Sequence, residues 1–228
     1  MNEQAGNAAC DHGTYGRVDA AVNLENDPER ASRLCREAQT RLMERAIELT
    51  DQDVRAPSRL PDWSLGHVLT HLARNADAHA RRLEGALDGR DVPKYASGEG
   101  QRRDEIEDGA GRTSDEIVAD LRASISHLEN VFDRSSAAGW PNGHFLGGGH
   151  YGVSGCPAHR LREVEMHHVD LGLGYTPLDW PQEYVDWDPP MLLTTAPDRL
   201  GGPAEQRRFM AWPAGRGPLH PSTNLEPW

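Results

Sequence analysis

Residues 64–89, SLGHVLTHLARNADAHARRLEGALDG, decide the fold. Leu65, Val68, Leu69, Leu72, Ala76, Ala80, Leu83 and Leu87 recur at three- and four-residue spacing. That is the period of a helix with one face turned to a core. Ser64 supplies an N-cap and Gly89 a stop. The helix also carries His67 and His71, four residues apart and therefore on one face.

The same period appears on both sides of this stretch. Upstream, Pro28 to Thr50 places Ala31, Leu34, Ala38, Leu42, Ala46 and Leu49 on one stripe, with Pro28 suited to a first turn. Downstream, Arg90 to Arg112 reads as a long polar connection. Thr113 and Glu116 then form a capping-box pattern for a third helix, with Ile117, Leu121, Ile125, Leu128 and Phe132 as its apolar face. A Gly-rich loop, WPNGHFLGGGHYGVSG, leads to a fourth helix from Pro157 to about Leu173. Four such patterns predict a mainly α protein, an antiparallel four-helix bundle. Residues 1–27 read as a flexible leader and residues 28–178 as the bundle. Residues 179–228 read as a proline-broken, irregular extension with one short helix near Ala204 to Trp212.

Bundles build metal sites from inward side chains on facing helices. On the fourth helix His159, Glu163 and His167 fall at i, i+4 and i+8. His168 is turned about 100° away, toward Leu161, Val164 and Leu171. Glu163 and His167 can therefore meet one ion, with a third ligand coming from the helix that carries His67 and His71. Two imidazoles and a carboxylate leave an open position, the pattern of catalytic zinc. Spacing alone does not choose between His67 and His71, and it leaves His159 in play. Imidazole donors favour zinc over magnesium.

The net charge of −12 opposes nucleic-acid binding. No apolar run is long enough to span a bilayer. The N-terminal segment has no secretory pattern, and three scattered cysteines, Cys10, Cys35 and Cys156, make no disulfide framework. The expected setting is cytoplasmic, for a monomer or homodimer that handles small molecules.

The segment LPDWSLGHVLTHLARNADAHARRLEGAL, the loop KYASGEGQRRDEIEDGAGR, the stretch REVEMHHVDLGLGYTPLDWP, and AWPAGRGP with the terminal LEPW follow one another in order. Together they resemble the mycothiol-dependent maleylpyruvate isomerase family of the DinB-like superfamily. The resemblance implies that His71, Glu163 and His167 hold a divalent ion, zinc, and that Arg216 in its G-R-G turn is catalytic. It places Arg102 where the family's loop carries an arginine, a candidate for binding a substrate carboxylate, and Tyr95 earlier in the same stretch is a further candidate pocket residue. It also implies mycothiol as the thiol cofactor and conversion of maleylpyruvate to fumarylpyruvate by thiolate addition, rotation and elimination. The family's C-terminal α+β part is represented here by only about fifty residues after Tyr175. Two alternatives follow from that shortening. One is a mycothiol S-transferase acting on an electrophile or a natural-product precursor. The other is a zinc-binding bundle without catalysis. His144 and His150 in the Gly-rich loop are further candidates for the mouth of the site. His67, His168 and Asp170 read as supporting residues, Cys35 as inert core, and Cys156 as a thiol beside the metal helix.

Overall fold

A computed structural model describes residues 23–141 and 152–216. The helices, in chain order, are α1 (Pro28–Ala46), α2 (Asp51–Val54), α3 (Leu65–Leu87), α4 (Glu99–Ala110) and α5 (Ser114–Ala137). They continue with α6 (Cys156–Asp170), α7 (Gln182–Trp187), α8 (Pro189–Thr195) and α9 (Pro203–Ala211). The described residues contain no β-strand. His144, His150 and the terminal LEPW lie outside the described residues, as does most of the expected leader.

α1, α3, α5 and α6 are the four expected amphipathic helices, and they enclose one apolar core. Leu34 and Leu42 of α1, Leu69 and Leu72 of α3, Leu121 and Leu128 of α5, and Leu161 and Val164 of α6 are all buried in it. Thr113 and Glu116 form the expected capping box on α5, and Ser64 caps α3. α1 ends four residues before Thr50. The reason is local: Thr50 takes an extended conformation (φ −93°, ψ 170°) so that its hydroxyl accepts from Asp53 N, which starts α2 instead.

Side-chain pairs give the helix directions. Gln39 meets Arg160, and Arg41 meets Glu165, so α1 and α6 run parallel. Arg74 meets Asp120 and Glu84 meets Arg134, so α3 and α5 run parallel. His71 lies against Glu163 while Asn75 lies against Arg160, so the two pairs oppose each other. The bundle is thus antiparallel by pairs. Parallel neighbours cannot be joined by a tight turn and need a long crossover.

That crossover corrects one expectation. The stretch from Arg90 to Arg112 is not wholly a polar connection, because it contains α4. No apolar stripe announces this helix; of its side chains only Ile106 and Ala110 are buried apolar ones. Two glycines let it press against α3. A Cβ at Gly109 would come within 2.4 Å of Thr70 Cγ2, and one at Gly66 within 2.8 Å of the Ala110 carbonyl. Contact at backbone distance takes the place of an apolar face.

The C-terminal region also differs from the irregular chain expected. Pro189 and Pro203 do not break structure; each occupies the first turn of a helix, where its missing N–H costs nothing. α9 stands where the sequence predicts its one short tail helix. Tyr184 and Trp187 of α7 join the main core, whereas Ala196, Leu200 and Phe209 make a small cluster of their own.

Arg160 of α6 is fully buried. Its Nε donates to Gln39 Oε1 of α1 (3.2 Å), and its NH1 donates to the Leu72 carbonyl and Asn75 Oδ1 of α3 (2.9 Å each). Gln39 in turn donates to Glu129 of α5 (2.9 Å). Arg160 therefore links three helices, and through Gln39 the network reaches the fourth.

Candidate metal centre

α3 and α6 face each other where the sequence places its candidate ligands. His71 Nε2 lies 3.0 Å from Glu163 Oε2, and His167 Nε2 lies 3.7 Å from the same oxygen. The His71 and His167 rings meet edge to face at 4.6 Å. One ligating atom from each of the three residues lies within 4.8 Å of the others. Atoms at about 2.1 Å from a tetrahedral ion stand roughly 3.4 Å apart, so small side-chain adjustments would bring these three into a coordination shell. His71 is buried, and Glu163 and His167 are half-buried.

The surroundings suit ligands. His167 Nδ1 is 2.8 Å from Asp170 Oδ2, one turn along α6. A carboxylate there accepts the Nδ1 proton and leaves Nε2 as a lone pair turned toward Glu163. Trp63, just before α3, packs on His71 with ring centroids 5.6 Å apart. Arg102 of α4 approaches His71 Nδ1 at 3.2 Å. A guanidinium only donates, so Nδ1 accepts here and Nε2–H donates to Glu163.

Electrostatics follow from burial. Desolvation pushes the His71 pKa down to about 4, with the neighbouring His167 and Arg102 adding to the shift and Glu163 opposing it. A neutral imidazole is the form that binds a metal. Burial alone would raise the Glu163 carboxyl. The hydrogen bond from His71 and the positive fields of His71, His167 and Lys94 outweigh it and hold the group well below the usual carboxylate range. The donor set therefore fits a divalent ion in charge, and binding would move the His71 proton from Nε2, which faces the site, to Nδ1, with Arg102 turning away.

The three residues open into a cavity of about 540 Å³. Leu60, Trp63, Met166 and Trp180 give it apolar walls, and Lys94, Arg102, Arg162 and Arg199 line it with positive charge. A pocket of this size, mostly apolar with a few convergent polar groups, suits a small molecule.

Other sequence candidates fall elsewhere. Tyr95 is buried and does not line the cavity. Arg216 is exposed beyond α9, its guanidinium on the Ala214 carbonyl at 3.3 Å, and it too lies outside the cavity. His159, which spacing left in play, faces away from the site; its Nε2 is 3.0 Å from Glu25 and its Nδ1 accepts from Arg162. His67 serves the cap of α3, its Nδ1 2.8 Å from the Ser64 hydroxyl. His168 is buried and stacks on Tyr175 at 3.9 Å. Cys156 is buried, and its thiol is pushed up to about 12, chiefly by desolvation. Lys94 and Arg199 were not singled out from the sequence. Each is a lone basic residue in a segment without periodicity, and only the fold brings it to the site.

Fold and site together define a DinB-like helix bundle with a His–Glu–His cluster lining a pocket. The sequence profile of the mycothiol maleylpyruvate isomerase N-terminal domain matches residues 35–172, and the chain belongs to that family. Two crystal structures resemble it, one of the mycothiol-dependent maleylpyruvate isomerase and one of a histidine-to-alanine mutant of that protein. Each is 25% identical, with a TM-score of 0.65, covering 72% of this chain and 69% of the other. No curated protein matches. No described helix is long and apolar enough to cross a membrane.

Proposed function

We propose that this protein is a metal- and mycothiol-dependent isomerase that converts maleylpyruvate to fumarylpyruvate. The observation that carries this reading is the convergence of His71, Glu163 and His167 in the lining of a cavity. All three lie inside the residues matched to the family. The imidazole-rich donor set favours zinc. When bound, such an ion supplies the Lewis acidity that keeps a small thiol as its thiolate.

The protein's own residues prepare the rest. Trp63, Met166 and Trp180 restrict water around the reacting centre. Asp170 holds the His167 ring in one tautomer. Arg102, at the cavity wall, would offset negative charge on a substrate carboxylate or on an enolate oxygen. A small thiol held there would supply reversible addition to the substrate double bond, the chemistry that a cis-to-trans change needs, and would be regenerated unchanged. Residues 28–178 would form the metal-binding unit and residues 179–228 a short extension, from which Trp180, Leu192 and Arg199 reach the cavity lining.

A second reading, mycothiol S-transfer to another electrophile, is favoured by the position of Arg216 outside the cavity. It keeps the same metal and thiol but takes a different acceptor.

The test is turnover of maleylpyruvate by zinc-loaded protein with and without mycothiol, together with the metal content of Glu163→Ala and His167→Ala. The isomerase reading requires thiol-dependent formation of fumarylpyruvate, and loss of bound metal in both variants with helicity retained. Absent isomerisation with metal bound and a generic electrophile consumed would assign the transferase instead. One ion per chain in both variants would overturn the ligand set.

A further inference from the structure

Four cations line the cavity among the described residues, and three of them are engaged by the protein. Arg162 donates through Nε to Asp188 at 2.7 Å, Arg102 is turned to His71 Nδ1, and Arg199 is held by groups including the Leu192 carbonyl. Lys94 differs. It sits in the segment between α3 and α4, half-buried, with its main-chain carbonyl fixed by Arg81 at 2.7 Å. Among the described residues, its ammonium has no hydrogen bond and no ion pair.

This is an unfavourable place for a bare cation. Burial lowers the Lys94 pKa, and the positive fields of Arg82 and Arg102 lower it further, against the pull of Glu163. Glu163 does not close an ion pair with it; that carboxylate is shared between His71 and His167. A partly desolvated ammonium facing a cavity beside two other cations gains most when an anion enters.

We propose that Lys94 is a specificity-determining residue, the group that receives a carboxylate of the substrate and so selects small carboxylate-bearing electrophiles. The assignment rests on the isomerase reading for the identity of the reaction, but not for anion binding itself. The carboxylate exchanges water for the Lys94 ammonium, and no covalent bond changes. The interaction is the same before and during the reaction, so it belongs to uniform binding and appears in KM rather than kcat.

The test uses the full-length, metal-loaded protein with bound metal quantified. Wild type, Lys94→Met and Lys94→Arg are each titrated with maleate by calorimetry and assayed with maleylpyruvate. The expected result for Lys94→Met is a maleate affinity lower by about tenfold or more, the scale of one lost charge-assisted hydrogen bond. The maleylpyruvate KM should rise by a similar factor with kcat within about threefold, and metal content should be unchanged. Lys94→Arg should recover part of both. If wild type does not isomerise maleylpyruvate, the isomerase reading fails while the maleate titration still decides the role of Lys94. Maleate binding that is equal in wild type and Lys94→Met, or absent from wild type, overturns the proposal.

Discussion

Acid should unfold the metal-free protein through its buried histidines. His71 and His168 both have pKa values pushed down to about 4, first by desolvation and then by neighbouring positive groups. His79, fully enclosed in α3, is lowered as well, for the same first cause. An unfolded histidine titrates near 6.5. Between those values the unfolded chain binds protons that the folded chain refuses, so stability is intact above about pH 6.5 and falls as the pH drops toward 4. For a group shifted from 6.5 to about 4, going from pH 7 to pH 5 costs the folded state about 2 kcal/mol. His71 and His168 together therefore remove about 4 kcal/mol, and His79 adds to the loss. Glu129 and Glu165 oppose it, because burial raises both carboxyls and they take up protons while folded. Glu163 does not enter this window, since its depressed pKa releases stability only at lower pH. A net loss of about 2–4 kcal/mol is a large share of an ordinary domain's stability. Urea denaturation of chelator-stripped protein at pH 7, 6 and 5 measures it. His168→Phe, which keeps a ring against Tyr175, should flatten the pH dependence by about one proton. Stability that is constant within about 1 kcal/mol over this range, or an unaltered slope in His168→Phe, would refute the reasoning.

Three further outcomes are expected. Asp170→Asn should weaken metal affinity by about 10- to 100-fold through the orientation of His167, measured by competition with a chromogenic chelator. Arg216→Ala should leave turnover within about twofold, as for an exposed side chain away from the site; a loss of orders of magnitude in steady-state assays would return this arginine to the reaction. Cys35 and Cys156, both buried with thiols pushed up to about 12 chiefly by desolvation, should resist alkylation in the folded protein and react on unfolding, as mapped by peptide mass spectrometry.

The four bundle helices were legible because each carries its apolar stripe at helical period, and the caps at Ser64 and Thr113 mark the starts of two of them. Glu163 and His167 were legible as a pair because one helix sets their spacing. The choice of His71 over His67 needed the resemblance to a family. Spacing could not make it, since both share a face and only the cap geometry takes His67 out of the site. α4 was hidden because its packing rests on missing side chains, Gly66 and Gly109, rather than on apolar ones. Lys94 and Arg199 were hidden for a different reason. A lone basic residue in a loop has no local signature, and its importance appears only when the chain returns to the cavity.

The buried guanidinium of Arg160 bears on how the bundle chooses its alignment. An apolar seam between helices tolerates sliding, since one leucine replaces another at the next turn. A guanidinium does not, because its acceptors on α1 and α3 occupy fixed heights. Shifting α6 by one turn, about 5.4 Å, would leave a charge in the core without its oxygens, at a cost of several kcal/mol. Glu163 follows Arg160 by three residues, and His71 directly precedes Leu72, whose carbonyl Arg160 grips. The lock that rejects slipped assemblies therefore also sets the height of the carboxylate opposite the imidazole. The spacing of the candidate ligands is thereby written into helix alignment, so that His71 and Glu163 come to face each other as the protein folds.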